Sequence, residues 1–345
     1  MDSEDVLINL SSPVFSVILP VFNESENLPD LYRRLSEVMR SLAEPYEIIF
    51  IDDGSRDDSV SKVLQFRQSD AAVKLLQLSR NFGQQVAFTA GLAFSSGRAV
   101  IAMDADLQDA PEIIPQFVGY WKEGYDVVYA IRQTREERLP MQVAYHLFYR
   151  IMKWYSDIDI PVDAGDFSLM DRKIVDTLNK LPERARYLRG LRAWVGFKQM
   201  GVPVERASRF AGKPKFSLRM LVNLAMSGLF SFSMAPLRFA TSLGLMVSLF
   251  SFFSIFVVVY VKLFTNLSLP GFAAVASILF FLGGTQLLTI GILGEYVGRI
   301  FDEVKGRPLF LISQATGFEN LSGTQPAPDQ QLNPGGPVAG PKLER

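Results

Sequence analysis

The sequence contains no cysteine and a single histidine, His146. Without thiols there is no disulfide framework, no thiolate zinc site and no cysteine nucleophile. With one imidazole, a metal centre built from several histidines is excluded, and a serine–histidine–aspartate triad has only His146 to draw on. Chemistry must therefore run mainly on carboxylates, amides, hydroxyls and basic side chains. Residues 1–12 carry acids and no long apolar run, so no signal peptide is expected. Nor is there a nucleic-acid-binding motif, and nucleic acid is not an expected partner. What the chain does have is apolar mass: 48% hydrophobic residues and 12% aromatics among 345. A mean hydropathy of +0.16 beside 21% charge is high for a water-soluble protein. The length allows two domains, or one domain with an appendage.

The net charge of -1 conceals a division along the chain. Residues 1–131 hold 10 basic and 20 acidic side chains, whereas residues 132–220 hold 18 and 10. An acidic domain running into a basic segment fits a cation site followed by an anion-binding surface. Phosphate on a small molecule or on a lipid is the anion this arrangement favours.

From Val14 onward the pattern alternates. Short β-rich runs at 15–21, 46–52, 73–78, 99–104 and 126–130 are separated by helical spacing near 25–42, 57–67, 84–95 and 111–122. Such repetition predicts an α/β domain with a mostly parallel sheet covered on both faces. Ligands in such sheets sit at the carboxyl ends of the strands. Here those ends are 20–24, 52–55, 79–81 and 104–108, the most polar parts of the domain.

Two charge-free runs follow, between Arg238 and Lys262 and between Lys262 and Glu295. Each has room for the roughly 20 apolar residues that span a bilayer. The expected spans are 239–261 and 272–293, with buried core helices as the alternative. Arg206, Arg209, Lys213, Lys215, Arg219 and Arg238 precede the pair, Arg299, Lys305 and Arg307 follow it, and the connecting loop carries only Lys262. The positive-inside rule then places both flanks and the α/β domain in the cytoplasm, at the inner membrane. Residues 216–234 read as an interfacial amphipathic helix. The Gly-, Pro-, Gln- and Ser-rich stretch after Phe318 reads as disordered. The expected plan is a catalytic domain over 1–215, an interfacial helix over 216–234, two spans within 235–300 and a mostly disordered cytoplasmic tail over 301–345.

Three strand ends carry residues suited to chemistry. Asp104-Ala105-Asp106-Leu107-Gln108 follows an apolar run and precedes Pro111, a good first residue for a helix. Two carboxylates at i and i+2 with an amide oxygen beyond can supply hard ligands to Mg²⁺ or Mn²⁺; an acidic turn is the plainer reading. In Val17-Ile18-Leu19-Pro20-Val21-Phe22-Asn23-Glu24, Phe22 can flank a base or ribose and Glu24 can accept from a ribose hydroxyl. The alternative there is a helix cap at Asn23 or Ser25. In Ile51-Asp52-Asp53-Gly54-Ser55-Arg56-Asp57 the two acids can accept from a base edge, or simply form a tight turn at Gly54 with Asp57 capping the next helix.

Together these pieces resemble the nucleotide-sugar domain of inverting family 2 glycosyltransferases. The closer likeness is to the polyprenyl-phosphate branch, which includes bactoprenol (undecaprenyl-phosphate) glucosyltransferases and dolichol-phosphate mannose synthases. The resemblance extends through Arg80-Asn81-Phe82-Gly83-Gln84, Gly165-Asp166-Phe167 with Leu169-Met170, and Leu293-Gly294-Glu295-Tyr296-Val297-Gly298-Arg299. It implies a Rossmann-like GT-A domain that moves a sugar from a nucleotide diphosphate to a polyprenyl phosphate. By the same resemblance Asp104 and Ala105 lie by the diphosphate, and Asp106 and Gln108 are the metal ligands. Pro20, Phe22, Glu24, Asp52 and Asp53 contact base and ribose, and Arg132 contacts phosphate. Arg209 faces the pyrophosphate and Lys215 the acceptor. Pro214 stands where the family often has serine or threonine, so Ser217 is the candidate hydroxyl for the acceptor phosphate. Asp163 and Asp166 are catalytic candidates whose separate duties stay open, because Ala164 and Ser168 vary neighbouring family residues.

The chemistry agrees with the basic segment. A sugar hydroxyl needs a general base as it attacks. A lipid phosphate, with a second pKa of about 6, is already anionic near neutral pH and needs cations to hold it beside another anion. UDP-glucose is the first-choice donor by resemblance, with other UDP-sugars, UDP-aminoarabinose and GDP-mannose as alternatives. A processive polysaccharide synthase is disfavoured, since Leu191-Arg192-Ala193-Trp194 lacks the glutamine of its Gln-x-x-Arg-Trp motif. A non-catalytic nucleotide-sugar scaffold would not need an acceptor site, and spans without interior charge offer a transporter no pathway. Interfacial helices make a homo-oligomer the expected assembly.

Overall fold

The structure, a computed structural model, describes residues 13–132, 164–184, 186–204, 235–264 and 271–318. Strands β1 (Phe15–Val21), β2 (Tyr46–Asp52), β3 (Val73–Leu78), β4 (Ala99–Ala102) and β5 (Val127–Arg132) alternate with helices α1 (Leu28–Ser41), α2 (Ser59–Ser69), α3 (Gln84–Phe94) and α4 (Ile114–Lys122). Then come β6 (Ala164–Asp171), α5 (Arg172–Lys180), α6 (Leu188–Trp194) and β7 (Gln199–Val204). The remaining elements are α7 (Ala235–Phe264), α8 (Phe272–Val304) and β8 (Ile312–Thr316).

One eight-stranded sheet has the order β7-β5-β6-β4-β1-β2-β3-β8. Its centre is parallel, with Val17 beside Ile48 and Ile101 and with Ile51 beside Leu76. The near-continuous apolar runs of β1 and β2 are those of strands buried on both faces. Helix α1 covers one face through Leu28, Leu31, Leu35 and Met39, whose spacing of three and four keeps them on one side and wholly buried. Antiparallel β6 breaks the parallel pattern between β4 and β5, and antiparallel β8 closes the other edge on β3. The fold is thus a mixed α/β, Rossmann-like arrangement with a mostly parallel sheet.

Buried Glu47 lies on β2 next to the amino ends of β1 and β4. It accepts from Ser16 Oγ (2.5 Å), Ser96 N (2.7 Å), Ser96 Oγ (2.9 Å) and Lys74 Nζ (2.6 Å). Burial opposes its charge, but these donors outweigh that and hold its pKa below the usual carboxylate range.

The chain divides into two compact units, and α7 and α8 belong to the second. The segments expected to be spans are indeed helical. Among the described residues, however, no helix is long and apolar enough to cross a membrane. Residues 301–304 complete α8 and 312–316 form a strand of the sheet, both before the stretch after Phe318 that reads as disordered. Ser79 N donates to Leu311 O at 2.8 Å and Ser313 Oγ to Gln77 O at 3.0 Å, so an exposed edge supplied the backbone partners that hold this segment. The expected helix at 216–234 and the residues after 318 lie outside the described residues.

Candidate active site

The polar strand ends converge through hydrogen bonds. At the end of β1, Asn23 adopts a left-handed φ of +55°. Its amide donates to Ser55 Oγ (3.0 Å), and its Oδ1 accepts from Arg56 N (2.8 Å). Glu24 N donates to Ser59 Oγ (3.1 Å), while Glu24 Oε2 accepts from Asn27 Nδ2 (2.6 Å). The turns after β1 and β2 are thereby sewn together, and Phe22 is left 41% exposed beside them.

At the end of β2, Asp52 and Asp53 are both buried. Asp52 Oδ1 accepts from Ser55 N (3.1 Å), three residues on, and so closes the turn around Gly54. Asp53 reaches across to the next strand end, accepting from Phe82 N (2.7 Å) and Gly83 N (2.9 Å). Burial raises its pKa, and the two amide bonds only partly offset that. Gly54 itself has a φ of +78°, and a Cβ there would stand 2.9 Å from Asn81 N. We expect Gly54→Ala to cost about 1–3 kcal/mol, from left-handed strain plus displacement of the 80–83 loop. Chemical denaturation measures it, and an unchanged midpoint would show that the loop yields freely.

Beyond β4 the chain turns through Asp104–Asp109. Leu107 is left-handed at φ +61°, and Asp106 Oδ1 accepts from Gln108 N at 3.1 Å. Gln84, the first residue of α3, donates its side-chain amide to Asp104 Oδ1. Its neighbour Gln85 donates to Asp166 Oδ2 (3.4 Å) and accepts from Leu188 N (2.8 Å). Asp166 is buried on β6 and gripped by Arg189, with Nε to Oδ1 and Nη2 to Oδ2 both at 2.7 Å. Burial works against that carboxylate's charge, yet Arg189, Arg192 and Gln85 together lower its pKa.

Among the described residues no three acidic or histidine side chains gather as a metal site. The donors at 104–108 are nevertheless all oxygens, the type that Mg²⁺ and Mn²⁺ take. A nucleotide-bound Mg²⁺ uses one or two carboxylates, with substrate phosphates completing its shell, so a third acid is not required.

The glycosyl transferase family 2 model matches residues 16–178. An uncharacterized glycosyltransferase of Bacillus subtilis, YkcC, is 43% identical over 307 residues, 89% of this chain and 95% of its own. The SfII prophage-derived bactoprenol glucosyl transferase of Shigella flexneri is 40% identical over 303 residues, 87% of this chain and 97% of that one. The chain belongs to the family 2 glycosyltransferases. Among solved structures, glucosyl-3-phosphoglycerate synthase from Mycobacterium tuberculosis with Mn²⁺, UDP-glucose and phosphoglyceric acid is 21% identical. It has a TM-score of 0.40, over 62% of this chain and 76% of that one.

In this glycosyltransferase, hydrogen bonds tie Glu24 and Asp52 to the turn after β2 and Asp53 to the loop after β3, and link Asp104 to Asp166 through adjacent glutamines. Pro20 is within β1, Ala105 is buried, and Arg132 ends β5. Asp163, Arg209, Lys215 and Ser217 lie outside the described residues, as does His146. Sequence reasoning missed Gln84, Gln85 and Arg189 as partners of the acids. Gln84 was visible as the last residue of the Arg80-Asn81-Phe82-Gly83-Gln84 motif, but nothing in the sequence paired it with Asp104.

Proposed function

We propose that this glycosyltransferase moves glucose from UDP-glucose to undecaprenyl phosphate, with inversion, giving a polyprenyl-phosphate-linked sugar. The observation that carries this reading is the extent of the match. Relatives named bactoprenol glucosyl transferase are 40% identical over 86–87% of the chain, a span too long to omit the helical unit. The site chemistry supports it. Asp166, a buried carboxylate among the catalytic candidates, is held ionised by Arg189, whereas an effective base needs a pKa near the working pH. An acceptor that arrives as an anion makes that base unnecessary.

In this reading Pro20, Phe22, Glu24, Asp52 and Asp53 hold base and ribose, with Asp104 and Ala105 at the diphosphate. Arg132, Arg209 and Lys215 serve the phosphates, with Ser217 beside the acceptor. Asp106 and Gln108 would hold Mg²⁺ or Mn²⁺, which when bound neutralises charge on the departing diphosphate.

We also propose that α7 and α8 seat in the inner membrane with both flanks cytoplasmic, and that the enzyme is a homo-oligomer. Supporting the first is the sequence from Phe239 to Val261, which is free of charge, together with exposed Phe250 (71%) and Phe264 (72%) on α7. Helices apolar on all sides need an apolar surrounding. A reporter fused after Arg345 should be active in the cytoplasm; activity only outside it would reverse the topology.

The deciding experiment gives purified full-length protein undecaprenyl phosphate and labelled UDP-glucose, UDP-aminoarabinose or GDP-mannose. Lipid-linked glucose is expected from the first donor alone. Equal use of neutral polyprenol would overturn the acceptor assignment.

A further inference from the structure

Asp166 and Arg189 are more closely engaged than a structural ion pair requires. The antiparallel register of β4 and β6 ends with Ala102 opposite Ser168, so Asp166 lies toward the turn that carries Asp104. The adjacent glutamines of α3 confirm that proximity from a third element, one bonding each aspartate. Gln85 also accepts from the Leu188 amide, so it fixes the start of α6, which carries Arg189. The guanidinium is therefore aimed from both ends of its connection.

Arg189 spends one edge on Asp166. Its Nη1 has no hydrogen-bond partner among the described residues, and its side chain is 28% exposed. Arg192, one helical turn on, is buried, with its own Nη1 unpartnered among the described residues. Burial pushes the Arg192 pKa down to about 10. Two guanidiniums thus lie near two carboxylates, Asp166 and Asp104, and of the two cations Arg189 is the one that keeps a partly exposed edge. Burying such a pair is costly, and apolar residues of like volume would stabilise the fold as well. A forked cation anchored on one edge is, by contrast, well made for a phosphate on the other.

We propose that Arg189 is an anion-contacting residue that meets a phosphate group of one of the two substrates. Asp166 is the positioning residue that orients it and does not act as a base. This rests on the reading that both reactants carry phosphate. The contacted group belongs to the donor's diphosphate or to the lipid phosphate, and the test separates them.

Full-length enzyme, R189K, R189Q and D166N are compared by thermal melting, by equilibrium binding of UDP, and by initial rates with UDP-glucose and undecaprenyl phosphate both varied. R189K keeps charge and a bond to Asp166, so it should melt with the wild type, yet lose about tenfold in kcat/KM because a point charge cannot replace the fork. R189Q should lose about 100-fold. If the donor is contacted, R189Q binds UDP about tenfold more weakly. If the acceptor is contacted, UDP affinity holds and the KM for undecaprenyl phosphate rises. D166N should reproduce the R189K defect, with no recovery at higher pH. Wild-type kcat/KM and UDP affinity in R189K would overturn the proposal, as would inactive D166N beside fully active R189K. Transfer by the wild type to a phosphate-free acceptor would instead defeat the functional reading. UDP binding by R189Q then still decides the role of Arg189, and unchanged affinity there rejects it.

Discussion

Asp106→Ala is expected to lower kcat/KM by about 10²–10³, or about 3–4 kcal/mol of transition-state stabilisation, the usual cost of losing one preorganised charge-stabilising group. The leaving group in the proposed reaction is a nucleoside diphosphate, and its charge grows as the sugar departs. Asp106 lies in a turn set by the left-handed Leu107 and by the Gln108 amide, so its carboxylate is held by local geometry. Gln108→Ala should lose less, because an amide oxygen is a weaker ligand than a carboxylate. In both variants UDP binding should become less sensitive to added Mg²⁺ or Mn²⁺, which calorimetry can follow separately from turnover. Wild-type rates in both would end the assignment of these two residues to the metal.

Glu47→Ala should be the most destabilising single change in the sheet unit, at about 3 kcal/mol. Removing one member of a buried pair strands its partner's charge, at roughly 3–5 kcal/mol, and Lys74, 22% exposed, recovers some of that from water. Ser16 and Ser96 lose their acceptor as well. The pH dependence has a definite sign. A carboxylate whose folded pKa is lowered contributes fully above its unfolded value of about 4.3, and the contribution fades as pH falls through the folded pKa. Wild-type stability should therefore drop in acid more steeply than that of Glu47→Gln. Urea melts between pH 3 and 7 test this, and parallel curves for the two proteins would remove Glu47 from the account.

Much of the sheet unit was legible from periodicity. Strands β1, β2 and β3 match the expected boundaries because each is a short apolar run bounded by turn residues. β4 ends two residues early, at Ala102, since the following acids belong to the turn. β6 escaped detection because Ala-Gly-Asp-Phe-Ser-Leu-Met-Asp mixes glycine and acids into a strand that is nevertheless buried along nearly all its length. β7, with Gly201 and Pro203, lacks alternation for similar reasons. Short β8 could not be read locally, because its partner β3 is more than two hundred residues away in sequence.

The sequence alone determined the chemical repertoire. Missing thiols, one imidazole and the clustered strand-end acids restrict this glycosyltransferase to oxygen ligands and cations, and those properties belong to residue types at short spacing. The spacing of apolar residues likewise determined the core face of α1. Only the tertiary structure decided what each acid does. Asp53 ties down the 80–83 loop and Asp166 anchors Arg189, because burial leaves a carboxylate dependent on whichever donors the fold brings within reach. Those donors come from loops and helices distant in sequence, and no local pattern records the meeting.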